Sequence, residues 1–369
     1  MTDKFMRVEM LPALHGDCLL VEYGDAWRTR RLLIDGGPIG AYGALQNRLD
    51  ALPAGDRRFE LMVLSHVDTD HIDGLVRLFA NPKPWPFVVR DVWFNGWRHL
   101  EQAHGLLGGK QGEFFSALLV RRLDDGSWNG AFQGDAVVVR NDEALPERLL
   151  VGDMRLTLLS PTVPKLDKMR DAWRKDIGDA IEPGDLDAAW ALLAQQKRYL
   201  PGQGLLGATP ALDALLEKQS RPDNTAANGS SIAFLAEFGG KSCLFLADAH
   251  PDVVCDSLKR LLDARGLERL TVDAVKVAHH GSKGNTTDEL MSLIESPRFL
   301  FSTNGAQFGH PDQEAVRRVI GRSICKIPQL YFNYLTEHNR AWNGADLQRD
   351  LGYTAHYNED EDTPLVVAL

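Results

Sequence analysis

The feature that most constrains the fold is an alternation of short apolar runs with helical patterns along 369 residues. The runs are rich in Val, Ile, Leu and Phe and predict β-strands. These strands span 7–11, 18–23, 31–34, 61–64, 87–93, 155–160, 232–238, 243–247, 272–278, 299–302 and 330–335. Helical patterns cover 41–51, 73–80, 112–123, 252–264, 287–296 and 312–321. Such a mixture predicts a layered α/β protein.

The predicted strands form two groups, and each group begins like a hairpin. The first hairpin closes at Gly24-Asp25, and the second closes at Gly239-Gly240. Between the groups, residues 161–224 show helical patterns at 190–193 and 210–218, no strand pattern and too little apolar sequence for a separate core. We therefore predict a single domain over 1–369, with 161–224 as a helical insertion or lid.

Composition excludes several classes of protein. Hydrophobic residues make up 44% and charged residues 25%, which is typical of a globular protein, and the apolar runs are far shorter than the roughly 18 to 20 residues of a membrane helix. The amino terminus lacks the layout of a signal peptide, and the four cysteines form no C-x-x-C pair, so we expect a cytoplasmic protein without a membrane partner. A net charge of -10 disfavours an extended protein surface that binds nucleic acid.

Four potential metal ligands lie within six residues, at His66, Asp68, Asp70 and His71, directly after a predicted strand. Open α/β sheets bind their ligands at this end of a strand. A loop entering a helix would spread the four side chains around two metal ions, whereas a regular strand would turn His71 away from the others. The alternative is an Asx-rich helix cap without a metal.

Two further groups of polar residues follow predicted strands. His279 and His280 end the run at 272–278, and adjacent residues of a regular strand point apart. We therefore expect one to bind metal and the other to act on the substrate or leaving group. Asp248 ends another strand, and its carboxylate could bridge two cations or, alternatively, cap the helix at 252–264.

Together these motifs resemble the metallo-β-lactamase superfamily, and specifically its ComEC-like hydrolase, or nuclease, branch. The resemblance is carried by H-x-D-x-D-H at 66–71, Asp248, H-H-G-S at 279–282 and Gly309-His310-Pro311, with Gly16-Asp17-Cys18 and Asp35-Gly36-Gly37 before them. It covers most of the chain and implies a four-layer αββα sandwich with a helical insertion. Asp68 stands where many superfamily members have a second histidine, which is a feature of the ComEC-like branch.

The resemblance also implies a ligand set for two divalent ions, Zn or Mn. The implied ligands are His66 and Asp68 for one ion, Asp70, His71 and His280 for the other, and Asp248 for both. The superfamily usually supplies one more histidine before the hairpin that leads to the bridging Asp, but residues 224–231 contain none. The site of the ion held by His66 and Asp68 is therefore rich in oxygen ligands, which makes Mn²⁺ as suitable there as Zn²⁺.

We expect a binuclear metal-dependent hydrolase, most simply a phosphodiesterase or nuclease in which a metal-bridging hydroxide attacks phosphorus. Asp70, His279 and His310 are the predicted catalytic residues. His279 or His310 would stabilise developing charge and could protonate the leaving oxygen. Lys276 and Lys283 would either offset phosphate charge or be solvated surface lysines.

The acidic net charge favours a small phosphodiester, a short nucleotide or a single-strand end as substrate. Hydrolysis of a carboxyl ester, lactone or thioester is the enzymatic alternative. A diiron redox protein is another alternative. One such family shares this fold and also carries a carboxylate in place of the second histidine of the first motif, where this chain has Asp68. That family has a flavodoxin-like domain after the metal domain, and the 59 residues after His310 are too few for a domain of roughly 100 to 150 residues. A metal-binding module without turnover is the third alternative.

Histidines outside the motifs need no role in catalysis. His99, His104, His338 and His356 lie in polar or mixed sequence, and we expect them at the surface. His15 and His250 are close to motif residues in sequence and are candidates for supporting positions around the metal centre.

Overall fold

The computed structural model describes residues 4–81, 87–100, 109–141, 143–177, 181–200, 225–358 and 360–369. In chain order, the strands are β1 (Phe5–Met10), β2 (Leu19–Gly24), β3 (Thr29–Ile34), β4 (Arg58–Phe59), β5 (Leu61–Val63), β6 (Val88–Val89), β7 (Val92–Trp93), β8 (Glu147–Leu150), β9 (Met154–Ser160), β10 (Ala233–Phe238), β11 (Lys241–Phe245), β12 (Leu270–Thr271), β13 (Ala274–Lys276), β14 (Ile294–Glu295), β15 (Arg298–Phe301), β16 (Gln329–Phe332), β17 (Thr354–Tyr357) and β18 (Leu365–Ala368). The α-helices are α1 (Tyr42–Asp50), α2 (Thr69–Phe79), α3 (Trp97–Leu100), α4 (Lys110–Arg122), α5 (Val163–Ile177), α6 (Leu186–Leu193), α7 (Ala226–Gly229), α8 (Pro251–Arg265), α9 (Asp288–Leu293), α10 (Gln313–Arg322) and α11 (Ala345–Leu351).

Two large sheets combine hairpins with parallel strands. The first has the strand order β18-β1-β2-β3-β5-β7, and the second has the order β17-β16-β15-β13-β11-β10-β9-β8. Both predicted hairpins are confirmed, because β2 pairs antiparallel with β3 and β10 pairs antiparallel with β11. Gly239 and Gly240 close the second hairpin with φ of +58° and +80°, a conformation that glycine adopts without a steric penalty.

Successive residues of the strands belong to different cores, which defines the layers. Val21 of β2 and Phe234 of β10 lie in the core between the two sheets. Their neighbours in sequence face outwards: Leu20 packs with α1, α2 and α4, whereas Leu235 packs with α8 and α10. Because side chains alternate across a strand, each sheet has one face on the shared core and one face under helices. The predicted four-layer αββα sandwich is confirmed.

Helices α5 and α6 come from the 161–224 segment and join the outer layer over the first sheet. Met169 and Trp173 of α5 are buried in the same core as Phe115 of α4, and the Trp173 indole donates a hydrogen bond of 2.7 Å to Glu113. The predicted helical pattern at 210–218 lies outside the described residues. A lid function for this segment and a single domain over 1–369 stay predictions.

The longest described helices, α5 and α8, contain 15 residues each. Helix α8 starts with Pro251 and stops before Gly266, whose φ is +64°, and these residues are the usual start and stop signals of a helix. Within the described ranges, none of the helices combines the length and the apolar character that crossing a bilayer requires.

Residues that follow the parallel strands bring polar side chains to one place. Asp35 follows β3, His66 follows β5, Asp248 follows β11, His280 follows β13 and Ser302 follows β15. Their mutual distances are short, as described below. The carboxyl ends of parallel strands from both sheets therefore build a common polar centre.

Candidate metal centre

The first motif is a loop that runs into the first turn of α2. This helix begins at Thr69, four residues before the predicted start, so Asp70 and His71 are helical. Asp68 occupies the N-cap position, but its side chain makes no capping hydrogen bond, so the alternative of an Asx-type cap is wrong for this residue. The side chains of His66 and His71 are fully buried, whereas that of Asp68 is 43% exposed.

Asp248 lies at the middle of the predicted ligands. Its Oδ2 atom is 3.9 Å from Nε2 of His66, 3.5 Å from Nε2 of His71, 3.5 Å from Nε2 of His279 and 3.7 Å from Nε2 of His280. The alternative role as the cap of α8 is wrong, because His250 occupies that N-cap position.

The adjacent histidines do not lie on a regular strand, so their side chains need not point apart. Residues 278–281 form a short 3-10 turn instead of a strand, with φ of 46° at His279 and 53° at His280. Left-handed backbone is uncommon for residues other than glycine and often marks functional sites. Here two successive left-handed residues turn both rings towards Asp248, which a regular strand could not do.

Hydrogen bonds fix the ring nitrogen that each buried histidine presents to the centre. Nδ1 of His71 lies 2.8 Å from Asp35 Oδ2, and Nδ1 of His280 lies 2.9 Å from the Ser302 carbonyl oxygen. Both partners are acceptors, so each Nδ1 carries a hydrogen and donates it. Nε2 is then the atom that takes a proton or a cation.

The same assignment follows for the other two histidines. Ser65 Oγ donates to Asp35 Oδ2 at 2.6 Å, and it therefore accepts from His66 Nδ1 at 3.0 Å. The side-chain amide of Asn285 donates to two backbone carbonyls at 3.2 Å, which turns its Oδ1 towards His279 Nδ1 at 2.9 Å. All four rings thus direct Nε2 towards one carboxylate.

The donor atoms at the centre fit a divalent cation. Within the part of the chain that the structure describes, Nε2 of His66, His71 and His280 and Oδ1 of Asp248 have no hydrogen-bond partner. His66, His71 and Asp248 each place a ligand atom within 4.8 Å of the others, and so do Asp70, His71 and His280. Imidazole nitrogen and carboxylate oxygen are ordinary ligands of Zn²⁺, and oxygen-rich sets also suit Mn²⁺.

Electrostatics at the centre favour added positive charge. Burial works against protonation of His280, but the carboxylates of Asp248 and Asp17 outweigh it and raise the pKa of this ring to about 10. Burial acts in the same way on His71, and three carboxylates, with Asp248 first, raise its pKa well above the usual range. Conversely, burial favours neutral Asp70 and Asp248, but the neighbouring histidines hold both carboxyl pKa values far below normal.

Lys276 has neither of its expected roles. It is fully buried, and its Nζ donates to Asp17 Oδ2 at 2.6 Å, so it is neither a solvated lysine nor free to offset phosphate charge. Asp17 Oδ1 in turn lies 3.4 Å from His280 Nδ1. Sequence reasoning missed Asp17 and Asp35 as partners of the histidines, although Asp35 follows a strand just as Asp248 does.

The remaining predicted site residues lie around this centre. His310 is in the loop after β15, and its ring centroid is 5.5 Å from that of His279. Burial lowers the pKa of His310 to about 3. Asp70 Oδ2 is 3.4 Å from His280 Nε2, and Asp68 Oδ2 is 3.5 Å from His66 Nε2. The predicted ligands and His310 therefore lie close together.

The prediction that the histidines outside the motifs lie at the surface is only partly correct. His99 is buried and accepts a hydrogen bond from the backbone N–H of Gly96 at 3.0 Å, so the surface assignment is wrong for it. His356 is exposed and His338 is half-buried. His104 lies outside the described residues.

Comparison with known proteins adds a sequence relative and several similar structures. No protein-family model matches the chain. Over 104 residues the chain is 26% identical to ComE operon protein 3 from Bacillus subtilis (strain 168), a stretch that covers 28% of this chain and 13% of that protein. This relative agrees with the resemblance to the ComEC-like branch.

The similar structures share little sequence with this chain. Zn²⁺-bound PqqB from Methylobacterium extorquens has a TM-score of 0.40 at 10% identity and covers 98% of this chain and 100% of its own. The metallo-β-lactamase fold protein YhfI from Bacillus subtilis has a TM-score of 0.38 at 10% identity, covering 100% of both chains. A diphosphatase from the PhnP family has a TM-score of 0.35 at 14% identity, covering 100% and 99%. The assignment of a metallo-β-lactamase fold rests on the layer order of this chain and on the polar residues at the ends of its strands.

Proposed function

We propose that this chain is a binuclear metal-dependent hydrolase that cleaves phosphodiesters. One observation carries the proposal: four imidazole rings direct Nε2 towards a single buried oxygen, Asp248 Oδ2, at 3.5 to 3.9 Å. These distances exceed those of ordinary N–H···O hydrogen bonds. Buried charged groups need partners, and bound cations would provide them for Asp248.

The proposed ligands form two sets that share Asp248: His66 and Asp68 in one, and Asp70, His71 and His280 in the other. When bound, two divalent cations such as Zn²⁺ or Mn²⁺ would supply an acidified water as nucleophile and would withdraw charge from the phosphoryl oxygens. No protein nucleophile is then required.

The residues around the ligands keep the rings in position. Asp35, Ser65 and Ser302 accept the Nδ1 hydrogens, directly or through one hydroxyl. The rings therefore need neither rotation nor a change of tautomer when Nε2 takes a cation. Such outer partners normally raise metal affinity and hold the ligands in productive geometry.

His279 and His310 are the proposed substrate-facing pair. Their side chains are 18% and 12% exposed, whereas those of the deeper His71 and His280 are at most 1% exposed. With its pKa lowered to about 3, His310 is neutral near pH 7 and can hydrogen-bond a phosphoryl oxygen without protonating it. We therefore assign protonation of the leaving oxygen to His279.

A phosphodiester is the favoured substrate class for two reasons. Asp68, Asp70 and Asp248 make the donor set rich in oxygen, which suits hard cations that also bind phosphate oxygens. The resemblance to the ComEC-like branch points to the same chemistry. The net charge of -10 favours a small diester or a single-strand end over long duplex DNA.

The test combines metal analysis with substrate selection. Purified protein should contain close to two Zn or Mn ions per chain, and it should hydrolyse bis(p-nitrophenyl) phosphate faster than a lactone or a thioester. His71→Ala should lose both metal and activity, because it removes a central donor atom. His356→Ala, which changes an exposed histidine on β17, is the matched control and should retain both.

Other outcomes would replace the proposal. Efficient opening of lactones or thioesters, with every diester left intact, would establish a carboxyl-ester type hydrolase. Iron with a visible absorption band would favour a redox protein. One bound ion or none, without turnover of any of these substrates, would leave a binding module.

A further inference from the structure

An exposed aromatic side chain stands at the entrance to the metal centre. Phe308 is 54% exposed, and its ring centroid lies 6.4 Å from that of His279 and 6.0 Å from that of His310. His279 and His310 are partly exposed, whereas His71 and His280 are buried, so a substrate can approach the centre on the side of the first two. Phe308 borders this approach, and His279 Nε2 lies 3.5 Å from Asp248 Oδ2.

A tight turn holds Phe308 in this place. The backbone N–H of Gly309 donates to the carbonyl of Gly305 at 2.9 Å and closes the turn just after the aromatic residue. Both glycines have left-handed φ, +73° and +71°, which other residues rarely adopt. The turn therefore depends on glycine on both sides of Phe308.

Backbone hydrogen bonds also hold both ends of the loop between β15 and α10, which carries Phe308. The backbone N–H of Asn304 donates to the Leu14 carbonyl at 2.7 Å, and the N–H of Asp312 donates to the Gly281 carbonyl at 2.9 Å. Gly281 directly follows the predicted ligand His280. The backbone that carries Phe308 is therefore held in place before a substrate binds, which reduces the entropy that binding must overcome.

A flat ring in this position suits a nucleobase. Stacking of a base on an aromatic side chain strengthens binding and tolerates any base. A nucleobase is one sugar away from its phosphorus, so a base on Phe308 is compatible with a phosphate at the centre. Bases inside a duplex already stack on each other and are not accessible to such a ring.

We propose that Phe308 is a base-stacking platform that selects dinucleotides and single-stranded ends among phosphodiesters. The inference rests on the proposed phosphodiesterase function and defines its substrate class. Recognition through a base also agrees with the acidic chain, because it does not require a row of phosphate contacts.

The test compares dithymidine monophosphate with the same sugar-phosphate backbone lacking one base. Phe308→Ala should raise KM for the dinucleotide at least fivefold, since stacking of about 1–3 kcal/mol corresponds to about 5- to 150-fold. KM for the abasic diester should change less than twofold. Phe308→Trp should retain the preference for the dinucleotide.

Trp27→Ala is the matched control, because Trp27 is an 86% exposed aromatic residue on the turn between β2 and β3. It should leave both KM values unchanged. An equal rise of KM for both substrates in Phe308→Ala would overturn the stacking role and leave Phe308 as a support for its loop.

Failure of the proposed hydrolase function is distinguishable from failure of this inference. If the wild-type protein cleaves no diester, calorimetric titration with thymidine 5'-monophosphate decides the inference alone. At least fivefold weaker binding by Phe308→Ala would support stacking, and equal binding by both proteins would overturn it.

Discussion

The Lys276 to Asp17 ion pair allows a quantitative test of how burial governs electrostatics next to the candidate metal centre. The two side chains are 1% and 2% exposed, and Nζ lies 2.6 Å from Oδ2. Lys276→Met keeps most of the length and apolar volume of the side chain but removes the ammonium group. The Asp17 carboxylate would then be buried without its main partner.

Burial of the ion pair sets the size of the expected loss in the free energy of unfolding. Removing one partner of a fully buried ion pair costs about 3–5 kcal/mol, a large part of the roughly 5–15 kcal/mol that stabilises a typical domain. Removing both charges is much less costly, so Asp17→Leu together with Lys276→Met should recover most of the loss. Urea unfolding followed by circular dichroism, with chelator present, measures the free energy of unfolding without a contribution from metal binding.

Lys259→Met is the matched control. Its Nζ lies at the same distance, 2.6 Å, from Glu289, but these side chains are 49% and 58% exposed. Water screens such a pair, so the urea midpoint of this variant should not change measurably. Equal losses in the two lysine variants, or no loss in Lys276→Met, would refute the reasoning from burial.

Three further predictions concern the centre. Metal affinity should rise with pH, because the raised pKa values of His71 and His280 keep protons on these rings that a cation must displace. Calorimetry in buffers of different ionisation enthalpy should detect proton release when metal binds at pH 7. Absence of proton release would contradict the assignment of His71 and His280 as ligands. Asp248→Asn should weaken both ions together, and elemental analysis that finds only one lost would make Asp248 a terminal ligand. Asp35→Asn should lower metal affinity about 10- to 100-fold in a competition titration with a chelating dye, since outer partners have effects of this size; unchanged affinity would argue against its positioning role.

Local apolar pattern predicted the inner strands of both sheets, but it missed three of their four edge strands, β8, β17 and β18. Strands β17 and β18 have only four residues each and are mostly not buried, so their local pattern is weak. Helix α5 was missed because charged residues obscure its apolar face, and burial of Met169 and Trp173 against α4 is a tertiary effect. The predicted helix at 287–296 is too long, since its last residues form β14.

The site was predictable where its residues are close in sequence or end a strand. The loop into α2 and the position of Asp248 after β11 follow from such signals. The two left-handed residues at 279–280 carry no residue-type signal, because neither is glycine. The partner of Lys276 is 259 residues away in sequence, and only the packing of the two sheets brings it there.

Both sheets contribute to the centre, and this links metal binding to the stability of the sandwich. The first sheet leads into His66 and His71, and Asp35 orients both rings, one of them through Ser65. The second sheet leads into Asp248 and His280. A cation bound between them would hold the sheets together, and a ligand at 100 times its Kd stabilises a protein by about 2.7 kcal/mol. Added Zn²⁺ or Mn²⁺ should therefore raise the unfolding temperature of chelator-treated protein, and by much less in Asp248→Asn. An equal rise in that variant would show that the stabilising ion binds elsewhere.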